Sequence, residues 1–223
     1  MIKEFNINFT EKEISLIYKK VKDYPWDSIK DLDGWEHGTN KKYLKELCNY
    51  WITKFDWSKH ELEINKFNNY TTNIDGIKIH FIKVKGSSAN SKPLLLMHGW
   101  PGSIIEFLHI IEKLAHPEKL EGNENDSFDV IVPSLPGFGF SGSPSKPMGP
   151  RKMAEILNKL MRENLGYKNY IAQGGDWGAT IANWLGYDHA NFCKAIHINC
   201  LNMRNRQRHA ADEARKWQHK YTE

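Results

Sequence analysis

The chain has 223 residues, 40% hydrophobic, 26% charged and 12% aromatic, the profile of an ordinary globular protein with one large domain or one domain and an appendage. Its formal net charge of +4 comes from lysines scattered among acidic residues, so no basic stripe points to nucleic acid. Cys48, Cys193 and Cys200 share no metal-ligand spacing and leave one thiol over in any disulfide scheme, which implies reduced thiols and no metal centre. The opening "MIKEFNINFTEKEI" lacks a signal-peptide core, and no run approaches the roughly 18 apolar residues of a membrane span. The expectation is a soluble, cytoplasmic chain without a membrane anchor.

Residues 1–70 read as a helical segment. Thr10 with Glu13 forms a capping box, after which Ile14, Ile17 and Val21 share one helical face. A second helix is expected over Lys41 to Phe55, where Leu44, Leu47, Trp51 and Phe55 form a broad stripe that needs a partner surface. From Tyr70 the period changes to two, with Asp75-Gly76 as a type I′ hairpin turn. "SKPLLLMHG" is a continuous apolar run, as in a strand buried on both faces. Ser103, with Glu106 three residues on, caps the next helix. "FDVIVPSLPGFGFSG" is a second buried strand running into a Gly/Pro-rich loop. A helix over about 151–165 follows, then "KNYIAQ" as strand, "ATIANWLGYDHA" as helix and "KAIHINC" as strand. This alternation predicts an α/β, mostly parallel, doubly wound sheet over residues 71–201, with a polar helical stretch over 202–223.

The stretch "QGGDWGAT" places Asp176 on a glycine-rich strand-to-helix turn, where a nucleophile elbow carries its reactive side chain. Gly174, Gly175 and Gly178 allow the close approach, and the N-terminus of the following helix favours an ionised carboxylate. A carboxylate attacks an amide or ester carbonyl poorly, because the product is a high-energy anhydride. It is a competent nucleophile at a saturated carbon bearing a strained or good leaving group, and it then forms an alkyl ester. Opening an epoxide or displacing a halide meets that requirement. Cleaving the ester builds an oxyanion on the Asp176 carboxyl, so donors must stand ready. The backbone N–H of Trp177 is one candidate. The other is the N–H of Trp100 in "HGWPGS", where His98, Gly99 and Gly102 shape the turn and Pro101 has no N–H to give. Trp100, Phe138, Phe140 and Trp177 would suit an apolar pocket.

At these motifs the chain resembles the α/β-hydrolase superfamily, and within it the microsomal-type epoxide hydrolases, juvenile-hormone epoxide hydrolases among them. "WEHGTNKKYLKELCNYWITKFDW" is similar to that group's N-terminal segment. "IDGIKIHFIKVKG", "KPLLLMHGWPGSIIEF", "FDVIVPSLPGFGFS" and "YIAQGGDWG" then match in order. The resemblance implies an α/β-hydrolase fold, Asp176 as nucleophile, the Trp100 and Trp177 N–H groups as oxyanion hole, no cofactor, and a small apolar epoxide as substrate.

The family also uses an acid and a histidine after the nucleophile, and tyrosines from a lid. None is expected among the residues present. His189 falls in the helix after the elbow, His197 inside the next strand, and His209 and His219 on the polar last helix, while Tyr187 and Tyr221 are no better placed as lid acids. The sequence therefore reads as the N-terminal half to two-thirds of an epoxide hydrolase, with 202–223 the start of the lid and little turnover expected from this chain alone. The last strand would be an uncovered apolar edge, which invites self-association. A haloalkane dehalogenase-like hydrolase is the nearest alternative, and a non-catalytic or partner-binding homologue the next. A serine esterase fits least, because Ser103 and Ser141 lie outside any elbow.

Overall fold

Four consecutive apolar residues, Leu94–Met97, are all buried, and they set the architecture. A strand with apolar side chains on both faces requires cover on both faces. A computed structural model describes residues 1–30 and 34–201 and divides them into two compact units. One unit comprises residues 1–6 and 67 onward, the other residues 7–66.

The larger unit holds a seven-stranded sheet: β1 (Lys3–Glu4), β2 (Asn69–Ile74), β3 (Ile77–Val84), β4 (Lys92–Met97), β5 (Phe128–Pro133), β6 (Tyr170–Gly174) and β7 (Cys193–Ile198). Their spatial order is β1-β2-β3-β5-β4-β6-β7. The three pairings on the β1 side are antiparallel, and β5, β4, β6 and β7 are mutually parallel. The sheet is thus mixed. β2 and β3 turn through Asp75 and Gly76 at φ 51° and 81°, both positive as a type I′ turn demands, and Ile74 faces Ile77 in register.

Helices α4 (Leu108–Ala115), α5 (Pro150–Lys159) and α6 (Trp177–Asp188) cover this sheet. Leu95 and Met97 join Ile156, Leu157, Ile181 and Leu185 in the main core. Leu94 and Leu96 point to the other face, as alternation along a strand requires. Ser103 caps a short 3-10 turn (Ile104–Phe107) that leads into α4, so the helix expected there begins as a tighter spiral. The helix expected over 151–165 is α helix to Lys159 and a π turn over Leu160–Asn164. β7 forms one edge of the described sheet, with Ile196 41% exposed.

The smaller unit contains α1 (Glu11–Lys22), α2 (Lys41–Thr53) and α3 (Trp57–Asn65). Each starts at a polar cap: Thr10 with Glu13, Asn40, and Asp56. Asn65 holds Ile7 through both its N–H and its carbonyl, at 3.0 and 2.7 Å, which fixes the strand-like segment ahead of α1. The stripe on α2 departs from expectation. Leu47 is exposed and no α2 residue is buried, while Trp51 and Phe55 of the stripe meet Trp57, which also packs on Phe9. β1 was not legible either: a two-residue strand carries no period.

His80, in the middle of β3, ties the sheet to the loop after β5. Its ring lies against Phe5 and Phe140 and is fully buried. Asn69 Oδ1, 3.0 Å from Nε2, can only accept, so Nε2 carries the proton and Nδ1 accepts from the Ser134 hydroxyl, also at 3.0 Å. Burial, with the Lys78 charge adding to it, pushes the His80 pKa down to about 3 from 6.5. The unfolded chain therefore binds a proton below about pH 6.5 that the folded chain refuses, and stability is lost as pH falls toward 3. Between pH 7 and 4.5 this group alone is expected to remove about 2–3 kcal/mol. Urea unfolding across that range should show the loss, and His80→Gln should flatten the pH dependence by a similar amount.

Candidate active site

The ends of three adjacent parallel strands meet at one place: β4 runs into Gly99–Gly102, β6 into Gly175–Asp176, and β7 into Asn199. Crevices outside the carboxyl ends of such strands are where α/β sheets bind ligands. A cavity of about 480 Å³ lies there, with Asp176, Trp100, Glu106 and Asn199 in its lining.

Asp176 directly follows Gly175 and precedes α6, with φ 48° and ψ −118°. A non-glycine residue held there is strained, and the turn projects its side chain away from the strand. Space explains the glycines. A Cβ on Gly178 would overlap the Met97 carbonyl, and one on Gly174 would overlap the backbone of Gly178. Strand and helix can therefore approach only without side chains at these positions. The first bonds of the new helix are Ala179 N–H to the Gly175 carbonyl (3.2 Å) and Thr180 N–H to the Asp176 carbonyl (3.3 Å). The N–H groups of Trp177 and Gly178 precede any intrahelical acceptor.

The second motif delivers a donor. The Trp100 N–H gives a hydrogen bond to Asp176 Oδ1 at 2.9 Å, across 76 residues of sequence. A Cβ on Gly99 would stand 2.5 Å from both Cβ and Oδ1 of Asp176, so this contact too depends on a missing side chain. Oδ2 has no hydrogen-bond partner among the described residues. The Trp100–Pro101 peptide is cis.

His98 holds this loop. It is 1% exposed, its Nδ1–H donates to the Gly99 carbonyl (3.0 Å), and its Nε2 accepts the Leu135 N–H (3.1 Å). Those partners require a neutral ring, and burial pushes the pKa below its ordinary value accordingly. The loop after β4 is thereby joined to the loop after β5.

Among the expected aromatic residues only Trp100, 68% exposed, lines the cavity. The others do not. Phe138 packs on His98, Phe140 on His80 and Phe5, and Trp177 against the main core. No histidine lines the cavity among the described residues. His189 caps the far end of α6 rather than lying within it, His197 sits in β7, and Tyr187 is exposed on α6. His209, His219 and Tyr221 lie outside the described residues, as does the whole of 202–223. Sequence reading missed Asn199, whose one signal was its place just after a strand end. It took Glu106 only as a capping partner.

The chain belongs to the α/β-hydrolase fold family, whose description matches residues 92–221. Residues 2–107 match a second description, epoxide hydrolase N terminus. The relatives bear the same name. Juvenile hormone epoxide hydrolase 1 of Ctenocephalides felis is 36% identical over 86% of this chain and 43% of its own length. Epoxide hydrolase 1 of Sus scrofa is 35% identical over 92% and 46%. The crystal structure of juvenile hormone epoxide hydrolase from the silkworm Bombyx mori superposes with a TM-score of 0.80 at 31% identity, over 92% of this chain and 49% of that one. The chain thus spans about half the length of the proteins it matches. No helix among the described residues is long and apolar enough to cross a membrane.

Gly178→Ala is expected to destabilise the larger unit by about 2 kcal/mol or more, because its Cβ meets backbone that cannot move aside. A lower urea midpoint with an unchanged slope would register this.

Proposed function

We propose that the chain carries the nucleophilic half of an epoxide hydrolase site, converting an epoxide and water to a vicinal diol through an ester on Asp176. The observation that carries this reading is a carboxylate on a strained elbow in the lining of a cavity, with one oxygen held by a backbone N–H and the other without a hydrogen-bond partner among the described residues.

In the first step Oδ2 attacks an epoxide carbon, the C–O bond to Asp176 forms, and the ring C–O bond breaks. The epoxide oxygen leaves as an alkoxide and takes a proton from solvent water. In the second step water adds to Cγ of Asp176, giving up a proton. Negative charge then develops on Oδ1, where the Trp100 N–H already points and the Trp177 N–H is adjacent in sequence. Collapse of this intermediate expels the diol oxygen, which takes a proton from solvent water, and Asp176, keeping one oxygen from the added water, loses its proton to solvent and returns to the carboxylate. Backbone donors aimed at a developing oxyanion contribute about 10²–10³ in rate each.

The proton acceptor for the second step is not among the described histidines. His80 and His98 have both ring nitrogens engaged, and the rest lie off the cavity. Without a histidine base at the cavity among the described residues, ester cleavage is expected to be slower by roughly 10²–10⁴-fold, so the ester should accumulate. The indole and pyrrolidine of Trp100 and Pro101 in the cavity wall favour an apolar epoxide. A cytoplasmic setting, suggested by three cysteines that fit no complete disulfide scheme, belongs to the same proposal.

Incubating the 223-residue chain with a phenyl-substituted epoxide should raise its intact mass by one epoxide, with the added group on Asp176. Asp176→Ala should abolish the adduct. An unmodified chain, or an adduct that survives this substitution, would overturn the reading. Chloride release from a chloroalkane without epoxide modification would favour a dehalogenase instead.

A further inference from the structure

The cavity has two flanks. One is built by the loop after β4, which brings the Trp100 N–H to Asp176 Oδ1. The other is built by the end of β7, and its contribution is a single side chain, Asn199. Gly174 pairs with Ile198 in the parallel register of β6 and β7, so Asn199 stands beside Gly175, one residue before the nucleophile. Its carboxamide occupies the space that a Cβ on Gly175 would need: Oδ1 lies 2.5 Å from that position, and Nδ2 and Cγ lie 3.3 Å from it. Asn199 and Asp176 line the same cavity.

We propose that Asn199 is a positioning residue for the hydrolytic water. The inference rests on the aspartyl-ester reaction above. Once Asp176 is alkylated, its Cγ is a trigonal carbon whose carbonyl oxygen faces the Trp100 N–H. A water must approach that carbon from a direction the oxyanion donors do not occupy. The β7 flank offers that approach, and a carboxamide there supplies both an acceptor for one water proton and a donor to its oxygen. Asparagine does not titrate, so it holds the water without removing its proton. This separates it from the base, which must do so. Nothing in the first step needs this group, because Oδ2 attacks without a water.

The two steps can be read separately on one sample. The 223-residue chain is treated with the phenyl-substituted epoxide and excess epoxide is removed. Intact mass then follows the gain and the later loss of the adduct, with H₂¹⁸O as solvent so that each cleavage leaves one ¹⁸O in Asp176. In Asn199→Ala the adduct should form at the unsubstituted rate, while its loss slows about 10-fold or more, as for a misplaced reactant. Asn199→Gln, which keeps the carboxamide but moves it by one methylene, should fall between the two, and circular dichroism checks that both variants fold. An unchanged ester lifetime in Asn199→Ala, or equal slowing of both steps, would reduce Asn199 to a packing residue and overturn the proposal alone. Absence of any adduct on the unsubstituted chain would overturn the proposed reaction and this role with it.

Discussion

Everything at the site depends on one backbone constraint, the absence of room for a Cβ at positions 174 and 178. With those positions bare, α6 starts against the ends of β4 and β6, and the chain reverses through Asp176 at φ 48°. A conformation of that kind costs on the order of 1–3 kcal/mol and survives only where the surroundings determine it. Here they do so from both sides. β6 is paired in parallel to β4 and β7, and the first turn of α6 is bonded back to Gly175 and Asp176. The strain has a geometric yield: the carboxylate leaves the strand end exposed, next to an N–H that the helix cannot use.

A second layer of the design is electrical neutrality in the supports. The loops after β4 and β5 are held by His98 and His80, two rings that are buried and each fixed to one proton by an oxygen that can only accept. Placing a proton on the second nitrogen of His98 would set it against the Leu135 N–H, and on that of His80 would force the Ser134 hydroxyl to turn and accept. These histidines therefore behave as rigid braces. Their burial also removes them from the chemistry, since a base must reach the cavity and exchange protons with water.

The sequence was most legible where a structural need has one local solution. Positive φ at two successive turn residues selects Asp75-Gly76, a capping box selects Thr10 with Glu13, and burial on both faces selects the Leu94–Met97 run. The elbow and the Trp100 loop were readable separately for the same reason. That the two meet at 2.9 Å is a property of β4 and β6 lying side by side, which no local pattern states. What failed was whatever depends on neighbours distant in sequence. Phe138 and Phe140 read as pocket residues, yet each turns to cover a buried histidine. The α2 stripe has helical period but only partial cover, with Trp51 and Phe55 on Trp57 and Leu47 exposed. Asn199 follows an ordinary strand, and only the register against β6 brings it beside Gly175.

The Trp100 N–H bears differently on the two steps of the proposed reaction, and its presence in the resting geometry shows how. A hydrogen bond to a carboxylate is charge-assisted, whereas one to an ester carbonyl is weaker. Alkylation of Oδ2 removes the charge from Asp176, so that bond weakens in the first step and slightly opposes it. Addition of water restores negative charge to Oδ1, and the same bond strengthens again, now with the Trp177 N–H at hand. Only an interaction that tightens toward the transition state accelerates a step. In the proposed reaction the donor that Gly99 permits therefore serves ester cleavage. The proposed attack would rely on the opposite feature, an Oδ2 with no donor among the described residues.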